Sequence, residues 1–180
     1  MKKIIFSLLV ISTVLLSTSC KKYKEFNVTS TSSFTIPSNN ALINLPMEIV
    51  TPESTTNFQS QVETQGSSSK LIDHVTLTSF NLTITNPANA NFNFLNSIEV
   101  YLSSPNQPEI LLASQYDIPE NNATQLMLNP SGEDLKEYVK ESNLTIRTKA
   151  VTDKVINYDI SIKTDEVFLV KVALKNIFKK

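Results

Sequence analysis

HVTLTSFNLTITNP, residues 74–87, holds two alternations that do not share a phase. Val75 and Leu77 fall on odd positions, whereas Phe80, Leu82 and Ile84 fall on even ones. Successive side chains of a strand point to opposite faces, so a change of phase inside one apolar run requires an extra residue. The stretch is therefore expected to form one β-strand with a bulge near Thr78 or Ser79, closed by Asn86-Pro87. With its other face polar, it belongs in an antiparallel sheet that has one side in water.

The same period continues downstream. In SIEVYLSS (97–104), Ile98, Val100 and Leu102 share a face; PNQP (105–108) reads as a turn and EILLAS (109–114) as the returning strand. TQLMLNP (124–130) puts Leu126 and Leu128 together. Near the C-terminus, NLTIRTKAV (143–151), VINYDISIKT (155–164) and VFLVKVALK (167–175) read as three strands, the last with Phe168, Val170, Val172 and Leu174 inward. Short strands separated by turns predict an all-β fold, an antiparallel two-sheet β-sandwich of immunoglobulin-like or jelly-roll type. No Cys–Trp–Cys pattern supports a true immunoglobulin domain. ITNPANA (84–90) resembles the strand-then-Asn-Pro element of water-stress sandwiches, over too few residues to carry a function across.

One short helix is expected near 131–141, in PSGEDLKEYVKES (130–142). Ser131 and Asp134 have capping-box spacing, and Leu135, Tyr138 and Val139 form an apolar stripe at i, i+3 and i+4. Upstream, Pro37, Pro46 and Pro52 punctuate short strand candidates at 33–36 and 47–51. Residues 53–69 read either as an edge strand with a loop or as an insert, and residues 20–33 as a polar tether with an early strand at 25–29.

The first twenty residues follow a different logic. Lys2 and Lys3 precede the uncharged apolar run Ile4–Leu16, then come Ser17, Thr18, Ser19 and the sole cysteine, Cys20. This is the layout of a secretory signal, with an apolar run too short for a bilayer-spanning helix of about 20 residues. The small residues ending on Cys20 resemble the lipobox of bacterial lipoproteins, which prefers Leu where this chain has Ser17. The resemblance covers residues 1–20. It implies cleavage between Ser19 and Cys20, removal of 1–19, and lipidation of Cys20 by diacylglycerol and acyl chains. It also implies a cell-envelope location, anchored to a bacterial membrane, with the outer membrane or cell surface expected. The domain division that follows is a signal at 1–19, a lipidated tether at 20–33 and a single β-sandwich domain at 34–180.

Loss of residues 1–19 leaves 14 basic against 17 acidic residues, a net charge of −3. That balance lacks the basic stripe nucleic-acid binding needs, so no nucleic-acid partner is expected. Two glycines in 180 residues leave no phosphate-cradling loop and shift the burden of turns onto Asn, which tolerates positive φ next best. Four Asn-x-Ser/Thr sequons, at Asn27, Asn81, Asn122 and Asn143, are what this Asn, Ser and Thr content produces by chance.

Chemistry-bearing residues are sparse. His74 is the only histidine, and its neighbour Asp73 would point to the opposite face of a strand, so a surface role is expected. No metal or cofactor motif occurs, and the acidic pairs Glu133-Asp134 and Asp165-Glu166 read as a helix start and a turn. Of five tyrosines, Tyr101 and Tyr116 are candidates for exposure. The expected function is a non-catalytic binding or scaffolding role at the envelope, with a protein as the expected partner. The alternatives are a carbohydrate-binding accessory lipoprotein, which needs an exposed aromatic row, and a small envelope hydrolase.

Overall fold

A computed structural model describes residues 23–38, 44–50, 54–55, 58–141 and 143–173. Ser19 and Cys20, and with them the predicted cleavage and lipidation sites, lie outside the described residues.

Among the described residues, nine strands carry the fold: β1 (Tyr23–Ile36), β2 (Pro46–Val50), β3 (Ser54–Thr55), β4 (Ile72–Asn86), β5 (Leu95–Ser104), β6 (Gln107–Gln115), β7 (Gln125–Pro130), β8 (Asn143–Thr152) and β9 (Ile160–Ala173). All pair antiparallel, in the order β1-β9-β4-β7-β6-β5-β8-β2, with β3 also on β8. The ladder is continuous because β7 pairs with β4 through Leu126 and Leu128 and with β6 through Asn129 and Pro130. The fold is thus antiparallel β, as the alternations predict. The hydrogen-bonded strand order forms one sheet that curls round a shared interior. The pairings are nested: β1 with β9, β2 with β8, β4 with β7, and β5 with β6.

Strand β4 does change register between Leu77 and Ser79, where the phase slip placed a bulge. Because of it, Val75, Leu77, Phe80 and Leu82 all reach the core, each at most 5% exposed. Further shifts occur at Ile72/His74 and Ile84/Asn86, at the strand ends, where no apolar alternation remains to reveal them.

Three expectations need correction. Residues 131–141 form no regular helix. The Asp134 carboxylate instead accepts hydrogen bonds from the amides of Val75 (3.0 Å) and Lys136 (3.1 Å), while the Leu135 amide donates to the Val75 carbonyl at 2.8 Å. These bonds hold the segment against β4 and leave a single turn, closed by Val139 N–H to Leu135 O at 3.0 Å. Leu135, Tyr138 and Val139 are buried nonetheless, so the stripe packs without a helix. The helix that does form, α1 (Phe58–Thr64), lies in the ambiguous stretch and buries Phe58 and Val62, an i, i+4 pair.

Strand β1 replaces most of the expected tether: it begins at Tyr23 and pairs with β9 over its whole length. Likewise, two separate C-terminal strands were expected at 155–164 and 167–175. Residues 160–173 join instead into a single strand, β9, with 155–159 irregular ahead of it, and Asp165-Glu166 lie in its middle rather than in a turn.

Asparagines make the turns that glycine usually makes. Asn44 (φ 57°) and Asn122 (φ 59°) hold left-handed conformations, and the Asn86-Pro87 bond is cis. Asn93 and Asn122 interlock, with Asn93 Nδ2 donating to Asn122 Oδ1 and the Asn122 amide to Asn93 Oδ1, both at 2.8 Å. That pair ties the β4–β5 connection to the β6–β7 connection.

Candidate functional site

The interior of the curl is not filled. On β1 the inward positions run Phe26, Val28, Ser30, Ser32, Phe34 and Ile36; on β9 they run Ile162, Thr164, Glu166, Phe168 and Val170. Register places Ser30 opposite Glu166 and Ser32 opposite Thr164. Polar residues therefore occupy two adjacent inward positions on each of two neighbouring strands, where the alternation calls for apolar ones. Thr148 on β8 is a fifth such residue, 1% exposed.

These positions border a cavity of about 430 Å³. Its walls are apolar, with Phe80 from β4, Val100 and Leu102 from β5, Leu112 from β6, and Leu144 and Ile146 from β8. Leu135 and Val139 close it from the turn that follows β7, and Phe58 and Gln61 of α1 lie over it. Phe58 meets Phe168 edge to face, with centroids 5.8 Å apart. Gln61 is bound to the backbone of β1: its Nε2 donates to Thr29 O at 2.9 Å and its Oε1 accepts from Thr29 N at 3.3 Å. That amide makes the two bonds a neighbouring strand would make, which covers some of an otherwise open sheet edge.

Glu166 sets the electrostatics. It is 7% exposed, and among the described residues its Oε2 is buried without a hydrogen-bond partner. Burial pushes its carboxyl above the usual carboxylate range, against hydrogen bonds from Thr164, Ser30 and Ser32 that draw it down, while Asp165 adds a like charge. A carboxyl that keeps its proton more tightly folded than unfolded loses stability as pH rises through its folded pKa. Glu166→Gln is expected to raise stability near neutral pH by about 1 kcal/mol, because the amide can donate to the hydroxyls around it and carries no charge. Melting temperatures from about pH 4 to about pH 8 check this; a variant curve parallel to that of wild type would refute it.

The residues singled out in the sequence are placed elsewhere. His74 pairs not with Asp73 but with Asp134, Nδ1 to Oδ2 at 2.8 Å, both partly exposed. Burial pushes the Asp134 carboxyl up, but hydrogen bonds from Val75, His74 and Lys136 outweigh it and leave the group below its ordinary value. Asp165 and Glu166 point to opposite faces of β9, so the pair cannot chelate one ion. Among the described residues, no three His, Cys, Asp or Glu side chains gather as metal ligands.

The tyrosines expected to be exposed lie on the outer face of β5 and at the end of β6. The Arg147 guanidinium sits over the Tyr101 ring, 4.3 Å from its centre, and is held by Glu109 (2.7 and 2.8 Å) and Glu48 (3.0 Å). Tyr116, half exposed, donates through its hydroxyl to Glu99 at 2.6 Å. One tyrosine face is thus covered by a guanidinium and the other ring is anchored at its hydroxyl, with no row of free rings between them among the described residues. Sequence reasoning took Glu166 as part of a turn and overlooked Ser30 and Ser32, although their signal was present as polar residues in phase with flanking apolar ones.

No family model matches the chain, and no curated protein matches it in sequence. Among solved structures, the BFDV capsid protein overlaps at TM-score 0.39 with 6% identity, over 83% of this chain and 99% of that one. The Turnip Yellow Mosaic Virus structure overlaps at TM-score 0.28 with 13% identity, over 83% of this chain and 96% of that one. Desmodium yellow mottle tymovirus gives TM-score 0.27 and 10% identity, over 87% and 93%. Overlaps this loose carry no argument about the activity of this chain. Among the described residues, no helix is long and apolar enough to cross a membrane.

Proposed function

We propose that this is a lipid-anchored envelope protein with a non-catalytic binding role, whose β domain holds its ligand or partner beside the membrane. The observation that carries the binding half is the polar-headed apolar cavity under α1. The anchor half rests on Lys2, Lys3, the run Ile4–Leu16 and the small residues before Cys20. In the sequence, Lys21 and Lys22 stand between Cys20 and Tyr23, the first described residue of β1. Two lysines there suit an anionic lipid surface, at up to about 1 kcal/mol each. Two or more acyl chains would make the attachment stable, since one alone is marginal. The nested strand pairing supports a jelly-roll reading of the curled sheet, with β1-β9-β4-β7 and β6-β5-β8-β2 as its two halves.

Intact-mass spectrometry of the membrane fraction tests the anchor. Wild type is expected as a chain starting at Cys20 with diacylglycerol and acyl additions. Cys20→Ser is expected to lose both the additions and membrane retention. A soluble, unmodified wild-type product cut elsewhere would remove the basis for this reading.

A further inference from the structure

We propose that the cavity under α1 binds a linear apolar molecule that ends in a protonated amine, with Glu166 as counter-ion. This rests on the binding reading above and names its ligand class. The volume, about 430 Å³, lies within the range of small-molecule sites, roughly 300–1,000 Å³. The chemistry of the lining is segregated. Phe80, Leu102, Leu112 and Ile146 offer only hydrocarbon, whereas the polar residues, apart from Thr148 on β8 and Gln61 on α1, cluster where β1 meets β9. Such a division suits an apolar body with one polar end.

The identity of that end follows from what Glu166 lacks. Its Oε2 is a buried acceptor with no donor among the described residues. Among those residues, no Lys, Arg or His lines the cavity, so a charge on Glu166 has no counter-ion there. A carboxylate or phosphate headgroup would place a second negative charge beside the first. A hydroxyl would supply a single donor. An ammonium supplies three donors and the missing charge, and the hydroxyl oxygens of Ser30, Ser32 and Thr164 can accept the bonds Glu166 does not take. The lining is polar on the β1 side as well, where Thr29, Ser32 and Ser33 are exposed.

Calorimetric titration of the full chain at neutral pH with octylammonium, 1-octanol and octanoate tests the assignment, because the three share a tail and differ in the head. Octylammonium is expected to bind at least ten-fold more tightly than octanol, and octanoate most weakly. Glu166→Gln is expected to erase the preference for the amine while leaving octanol binding within about two-fold of wild type, which also shows that the variant is folded. Equal binding of all three, or amine binding unchanged in Glu166→Gln, would overturn the headgroup assignment and leave an apolar site. Binding of none of them would overturn the site itself. Neither result bears on the anchor, which the mass of the Cys20→Ser product decides separately.

Discussion

Phe92→Ala should lower the stability of the fold by about 3–5 kcal/mol, the usual cost of removing a fully buried aromatic ring. Phe92 is 1% exposed and stands on a single 3₁₀ turn, Phe92–Phe94, between β4 and β5. Its position is held from three sides. Its amide donates to Ala123 O at 2.8 Å, the side chain of Asn91 accepts from the Asn93 amide, and its ring packs 6.3 Å from that of Phe94. With the backbone fixed in this way, the neighbours have little freedom to collapse into the space left, so the cost of the cavity should be felt nearly in full. Phe92→Leu, which keeps most of the volume, should cost clearly less. Denaturant unfolding with the three proteins at one pH decides it; equal midpoints for wild type and Phe92→Ala would mean that this turn does not belong to the core.

The second large effect is expected at Asp134. Asp134→Ala leaves the amide of Val75 without an acceptor at a residue that is fully buried, frees Lys136 N–H, and unpairs His74. A loss of about 1–3 kcal/mol follows from the stranded amide and the missing charged acceptor, at the lower end if water reaches the half-exposed carboxylate's place. The pH dependence has a definite sign. The carboxyl of Asp134 lies below its ordinary value in the folded chain. Its stabilisation is thus present above the unfolded value and disappears as pH falls through the folded one. Asp134→Asn keeps an acceptor for Val75 and Lys136 but has no charge to titrate. It should therefore cost less than Asp134→Ala near neutral pH and lose less stability on acidification than wild type. Thermal melts at a series of acidic pH values separate the three proteins; identical acid limbs would show that Asp134 contributes nothing there.

These two residues also mark what could be read in advance. The bulge in β4 was legible because apolar residues flank it on both sides and record the change of phase. The turn-forming role of asparagine was legible because a β-rich chain with two glycines must find positive φ elsewhere. The 131–141 helix failed for a reason outside local sequence: Asp134 has the right spacing to cap a helix, but the amide it reaches most usefully belongs to Val75, 59 residues away. Helix α1 was missed because two apolar residues, Phe58 and Val62, are all that distinguish it from its Ser, Thr and Gln surroundings. The cavity was hidden by the same cue that was used to find strands. Ser30 and Ser32 made β1 look like a tether, and Thr164 to Glu166 made β9 look like two strands with a turn. Parity, unlike hydrophobicity, continues through both interruptions.

The nesting of the strands has a consequence for the order of events during synthesis. Among the described strands, β1 is the first to be made and the strand it pairs with, β9, the last, so the outermost ladder joins residues as far apart as Tyr23 and Ala173. Contacts that distant form slowly, since a long loop must close before any of them is rewarded. While β9 is still being synthesised, the N-terminal strand has nothing to zip against. The inner pairs, β5 with β6 and β4 with β7, can form before that, so the ladder that closes the outside of the nest is the last to be made.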